Sequence, residues 1–367
     1  MGRAGGAKSD GHEALSETGP HGDLLPMTTQ TQPSQPQAEP LRDLIRGYLR
    51  LGDPDIVGTL AVFPVFGPEP RLEYVSFAQG RSEGATITEL EGGASVRDLV
   101  VHNPTSLPLL LFEGEEVLGA QQNRTLDLTV LVGSETKTRI PVSCVEQGRW
   151  DGRRHAEKFD PAPQAAYPEL RRSKSRQVRE AVRAGVEARA DQSTVWSEVS
   201  AKAARHGVRS ATGAMNDVFE NRRGRLHEMT EAVRLHDGQL GALVMIAGLV
   251  TVLDLVSRPS VFGDLHGPLV QGYALDAIEA PGQSEPNRGD AEGFLSLALD
   301  NPAHRRPSVG IGVHLAFEGN GSEGSGLAVG EELVQLTAFP GDGQAEAQHS
   351  APGERASRIR RPSRRQA

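Results

Sequence analysis

The chain has one cysteine, Cys144, in 367 residues, so it can form neither an internal disulfide nor a cysteine-only zinc site. Aromatic residues make up only 4%, which leaves the core to Leu, Val, Ala and Ile. No run approaches the roughly 20 apolar residues that a membrane helix needs. The first twenty residues lack the apolar stretch of a signal peptide, and Gly6 stands where a myristoylation signal wants Ser or Thr. A basic surplus is missing too: the net charge is −9, against the positive balance usual in nucleic-acid binders. These absences predict a cytoplasmic protein of a reducing compartment with no membrane partner, and they disfavour nucleic acid. The exception is the last thirteen residues, where six Arg cluster. That tail could touch an acidic partner, although a solvated end is the simpler reading.

Composition then divides the chain. Residues 1–40 are rich in Gly, Ser, Gln and Pro without apolar periodicity, and read as a disordered tail. Residues 341–367 read the same way. Between them, 41–340 reads as one α+β domain with a minor boundary possible near residue 150. A short amphipathic helix is expected from Leu41 to Leu49. Runs at 56–66, 72–77, 85–90, 96–103, 107–113, 125–132 and 138–146 have β character, separated by turns such as Gly92-Gly93. Spacing this close leaves no room for crossover helices, so an antiparallel sandwich or open barrel is predicted. Helices are expected at 168–189, 191–207, 210–233, 259–278 and 291–299. Strands at 242–247 and 249–256 should form a tight hairpin at Gly248, and strands at 309–317 and 333–339 should close the fold. Residues 149–189 hold eleven Lys or Arg against six acids. A solvated amphipathic face accounts for them more simply than phosphate contacts.

Several motifs fail on context. Gly319-Asn-Gly321-Ser-Glu-Gly324 matches the dinucleotide fingerprint as a string, but a strand follows where the pyrophosphate needs a helix N-terminus, so it reads as a flexible hairpin loop. Asp53-Pro-Asp55 opens like a calcium loop, yet its fifth and twelfth positions are Val57 and Pro64. There is no His-Glu-x-x-His pair, Walker loop or serine elbow, and neither a metal nor a cofactor is assigned.

The segment 107–150 carries more polar groups than a plain sandwich needs. LPLLLF is apolar on both faces and runs straight into Glu113-Gly-Glu115-Glu116, whose crowded carboxylates must either rise in pKa or meet cations. Parity places Arg124 with Leu126 and Leu128, and Cys144 with Glu146. A hairpin around 133–137 then opposes Val132 to Thr138 and Arg124 to Glu146, as direct neighbours about 4.5–5.5 Å apart at Cβ. Gln122, Asn123, Arg149 and Trp150 would share that rim with Glu115 or Glu116. Two readings stand. One is an ion pair that fixes strand register. The other is a polar pocket in which Arg and amide donors take an anion and Trp stacks on a ring. Cys144, on a core-facing strand position, reads as an inert buried thiol rather than a nucleophile.

The runs EGEEVLGAQQNRTLDLTVLV, IPVSCVEQGRW, DQSTVWSEV, SATGAMNDVFE and GALVMIAGLVTVLDLVSRP resemble the ARG and rhodanese-phosphatase-superfamily-associated domain, a largely uncharacterised prokaryotic family. The resemblance implies an association with ADP-ribosylglycohydrolase and phosphatase-like domains, hence with ADP-ribose or nucleotide metabolism, and supplies no catalytic residues. Two functions follow as expectations. The first is a domain that binds, or also processes, an anionic nucleotide-like ligand through Glu115, Glu116, Gln122, Asn123, Arg124, Cys144, Glu146, Arg149 and Trp150. The second is a non-enzymatic scaffold or sensor in which the same cluster is structural.

Overall fold

The computed structural model describes residues 39–68, 70–150, 158–282 and 284–342. The expectations for residues 1–38 and 343–367 fall outside these. Among the described residues, a 3-10 turn (Leu41–Leu44) precedes strands β1 (Arg50–Leu51), β2 (Asp55–Val57), β3 (Leu60–Phe66) and β4 (Val75–Ser76). Helix α1 (Phe77–Ser82) leads into β5 (Thr86–Thr88), β6 (Asp98–Asn103), β7 (Leu109–Leu111), β8 (Glu115–Gly119) and β9 (Arg124–Leu126). Next come β10 (Val130–Val132), β11 (Thr136–Cys144) and β12 (Lys158–Ala165), then helices α2 (Pro168–Arg183), α3 (Gln192–Arg205) and α4 (Met215–Ala232). The hairpin β13 (Gly241–Ile246) and β14 (Leu249–Val256) is followed by α5 (Pro259–Glu279) and α6 (Arg288–Leu299). Strands β15 (His304–Pro307), β16 (Val313–Gly319), β17 (Ser322–Val329) and β18 (Glu332–Pro340) complete the fold. This is the expected α+β class. Among the described strands only the β4–β7 pair is parallel, and no helix among the described residues is long and apolar enough to cross a membrane.

Six strands close into a barrel in the order β11-β6-β5-β12-β8-β9. Its interior is filled by one parity of each strand, including Ile87, Leu99, Val101, Val117, Leu126, Ile140 and Val142. A second, nine-stranded sheet runs β1-β3-β13-β14-β18-β17-β16-β15, with β2 paired to β3. Both faces of its central strands are buried. Leu60 and Val62 of β3 join one apolar cluster with Leu265, Leu269 and Tyr273 of α5, while Ala61, Phe63 and Val65 join another with Phe294 and Leu295 of α6. The two-residue period of one strand thus serves two cores.

Some elements depart from their sequence reading. The expected helix over Leu41–Leu49 is a single turn, because Gly47 takes φ +137 and Tyr48 swings out to solvent. The helix expected at Ser210 starts at Met215, after Gly213 turns the chain at φ +66; Ser210 instead accepts the Ala214 N–H. The run 125–132 is two strands rather than one. The hairpin at Ala247-Gly248 is present as expected, with φ +51 and +78. The 319–324 string leaves β16 at Gly319, turns at Asn320-Gly321 and enters β17 at Ser322, so all of the expected loop but its two turn residues is strand.

Candidate functional site

The barrel wall sets the positions of the candidate residues. Glu116 opposes Thr125 and Val117 opposes Arg124 between β8 and β9; Cys144 opposes Arg124 and Val142 opposes Leu126 between β9 and β11. The expected Arg124–Glu146 pairing is therefore out by two residues, and the cross-strand neighbour of Arg124 is Cys144. After Leu126 the chain leaves the barrel, and β10 pairs with β7 instead of β11. A shift of two keeps every side chain on its face, so apolar alternation could not reveal it. The register also separates groups that the sequence had placed on one rim: Arg124 faces the barrel interior with Val117, and Glu116 faces outward with Thr125.

Arg124 is fully buried. Its guanidinium donates to the carbonyls of Gln122 (2.9 Å), Asn123 (3.3 Å) and Ser95 (3.4 Å), and lies 3.9 Å from a carboxylate oxygen of Glu89. Burial raises the pKa of Glu89 against the opposing charge of Arg124. Trp150, 40% exposed, sets its ring centre 5.9 Å from the guanidinium carbon. Cys144 is buried beneath them, and burial pushes its thiol up, away from the nucleophilic thiolate.

The partner of Glu146 is Arg149. One carboxylate oxygen accepts from Arg149 Nε (2.7 Å) and the Asn123 N–H (3.0 Å), the other from Thr212 Oγ1 (2.9 Å). The remaining Arg149 nitrogens donate to the carbonyls of Ala120 (2.9 Å) and Gly119 (3.0 Å) and to Asn123 Oδ1 (2.9 Å). They fasten a turn in which Ala120 holds φ +41, a conformation a side chain resists. Gln122 Nε2 donates to the carbonyls of Glu146 (2.7 Å) and Gln147 (3.2 Å). The strand runs on past Cys144 as irregular pairing with residues 212–215: Met215 donates to Val145 and Gly148 to Thr212. A Cβ at Gly148 would lie 3.1 Å from the Thr212 backbone, so glycine permits this approach.

The three carboxylates of Glu113-Gly-Glu115-Glu116 meet three environments. Glu113 lies 3.5 Å from buried Arg171. Glu115 accepts the Phe112 N–H, and burial, with Asp264 adding, pushes it up to about 7. Glu116 accepts from Gln164 Nε2 (2.7 Å) through one oxygen; the other has no partner. Burial, with Glu146 and Asp217 adding, pushes Glu116 up to about 8. Gln164 also donates to Asn216 at the start of α4. The arrangement is a protonated acid close to a second, hydrogen-bonded carboxylate, the pairing that acid–base chemistry uses near neutral pH.

Helix α2 corrects another expectation. Only half of its six cations line an open face: Arg172, Arg176 and Arg183 are partly exposed, whereas Arg171, Lys174 and Arg179 are buried in ion pairs with Asp254, Asp127 and Glu323. Sequence reasoning also passed over Glu89, Gln164, Gln192 and Thr212. Gln192 accepts from the N–H of Cys144 (2.9 Å) and donates to its carbonyl (2.8 Å), standing in for a neighbouring strand. Gln192 and Thr212 lie in DQSTVWSEV and SATGAMNDVFE, two of the runs that carried the resemblance, so the signal existed without a place to put it.

A family model for the ARG and Rhodanese-Phosphatase-superfamily-associated Protein domain matches residues 48–339. The chain belongs to this family. The family domain takes in every strand from β1 to β17 and β18 as far as Phe339, and the runs QNR, SCVEQGRW, DQSTVW and SATGAMND of this member contact one another beside β11. No curated protein and no solved structure matches the chain.

Proposed function

We propose that the domain binds an anionic nucleotide-like ligand of the ADP-ribose or NAD kind where Trp150 and Arg149 reach the surface. The observation that carries this reading is a half-exposed indole next to a part-exposed arginine, at the place where the runs QNR, SCVEQGRW, DQSTVW and SATGAMND meet. The family name adds support only by association. Trp150 stacks on a ring, Arg149 takes the anion at its part-exposed guanidinium, and Gln122 and Asn123 orient the polar edge. If a bond is cleaved, Glu116 supplies the proton and Glu146 is the carboxylate near it, while Glu115 stays on the Phe112 N–H. Arg124 holds the loop, and Cys144 stays a thiol. The test is thermal unfolding with ADP-ribose, NAD, AMP and inorganic phosphate. A ligand at 100 times its Kd stabilises by about 2.7 kcal/mol. Trp150→Ala should abolish that gain and leave the unliganded midpoint unchanged.

One observation favours the scaffold reading instead: Arg124 is fully buried and its NH1 and NH2 donate to the carbonyls of its own loop and of Ser95. No stabilisation by any nucleotide, together with gross unfolding of Arg124→Ala, would establish it.

A further inference from the structure

A different part of the molecule holds a cleft of about 670 Å³, between the first half of α2, the last turns of α3 and α5, the β13–β14 turn and the end of β18. Its size and mostly apolar wall, with Ile246, Leu249, Val250, Phe339 and Pro340, suit a small molecule. At one end Lys202, 1% exposed, donates to Asp276 (2.7 Å) and Glu279 (2.7 Å) and lies 3.1 Å from a carboxylate oxygen of Glu169. These carboxylates could surround a cation, but the ammonium of Lys202 is already ion-paired with all three. The open valence is at the other end. Arg172 and Arg176, one turn apart on α2, spend Nε and NH2 on Glu323 and Asp342, and among the described residues both NH1 groups make no hydrogen bond. The guanidiniums are 27% and 35% exposed, and Asp342, their outer partner, is 73% exposed. Asp342 lines the adjoining cleft, which shares Arg176 with this one, so its exposed carboxylate competes from outside for the arginines an external anion would use. The wall between the two ends includes Ala247 at φ +51, strained backbone of the kind that gathers at ligand sites.

We propose that this cleft binds a small amphipathic anion, one ring in size with a single carboxylate or phosphate, its apolar body on the β13–β14 turn and its charge on Arg172 and Arg176 in competition with Asp342. Calorimetry on the full chain tests it with phenyl phosphate, benzoate, inorganic phosphate and benzyl alcohol. Phenyl phosphate or benzoate should bind at least tenfold more tightly than inorganic phosphate and benzyl alcohol, and the better of the two identifies the head group. Thr251→Phe, which fills the cleft and touches no ion pair, should weaken binding at least tenfold. Asp342→Asn, at an exposed position where folding is secure, should tighten it several-fold by removing the competitor. Trp150→Ala should leave it unchanged, which separates this site from the barrel end. Equal affinity for inorganic phosphate, or an Asp342→Asn variant that binds no more tightly, overturns the proposal whatever becomes of Thr251→Phe.

Discussion

The carboxyl of Glu116 is kept protonated by its surroundings, and the sign of the consequence follows from linkage. A carboxyl raised on folding from 4.5 to about 8 contributes its stability fully below 4.5 and loses it as pH climbs through 8, because the folded state resists the charge that the unfolded state accepts. Glu116→Gln should match the wild type at pH 4.5 and exceed it at pH 9 by a few kcal/mol, in order of magnitude. Urea midpoints at both pH values check this; parallel profiles would sink it. Arg124 makes the opposite case, a charge that cannot be spared. Arg124→Met would leave Glu89 uncompensated and three carbonyls short of a donor, at a cost of about 3–5 kcal/mol. Arg124→Lys should recover little of this in denaturant titrations, since an ammonium lacks the planar fork that reaches those carbonyls.

At the scale of elements, Gln192 does the work of a missing strand beside β11. Its loss orphans both peptide groups of Cys144 in a dry environment, so Gln192→Ala should cost about 2 kcal/mol or more by chemical denaturation. The β13–β14 turn carries a smaller, opposite opportunity. Ala247 pays for a left-handed conformation that glycine adopts freely, and Ala247→Gly should stabilise by about 0.5–1 kcal/mol, read as a higher unfolding midpoint. Gly248 beside it has no such freedom to change: a Cβ there would strike Ser284 at 2.6 Å.

Across the whole molecule, barrel and sheet are joined by charge as well as by apolar packing. Arg171 of α2 makes a two-pronged contact with Asp254 of β14 at 2.6 and 2.7 Å; Tyr273 of α5 and Thr337 of β18 donate to the same carboxylate. Glu113, between β7 and β8, reaches the same guanidinium and accepts from Ser325 of β17. Asp254→Leu alone should strand Arg171 and cost about 3–5 kcal/mol, while Arg171→Met with Asp254→Leu should recover much of that loss. Equal midpoints for the single and double variants would show that the network contributes little beyond its shape.

What the sequence determined by itself was local. Alternation placed most strands, the Ala247-Gly248 turn and the long helices followed from turn chemistry and 3.6-residue periodicity, and composition set the α+β class. Crowded carboxylates after a buried strand already announced perturbed acids, and Glu115 and Glu116 are such acids. The tertiary structure decided which partner each polar group found. Alternation has a period of two, so it cannot distinguish Cys144 from Glu146 opposite Arg124. Nor can a charge count tell whether the arginines of α2 meet water or a carboxylate from a strand more than 80 residues away, because that depends on which surfaces the packed elements bring together.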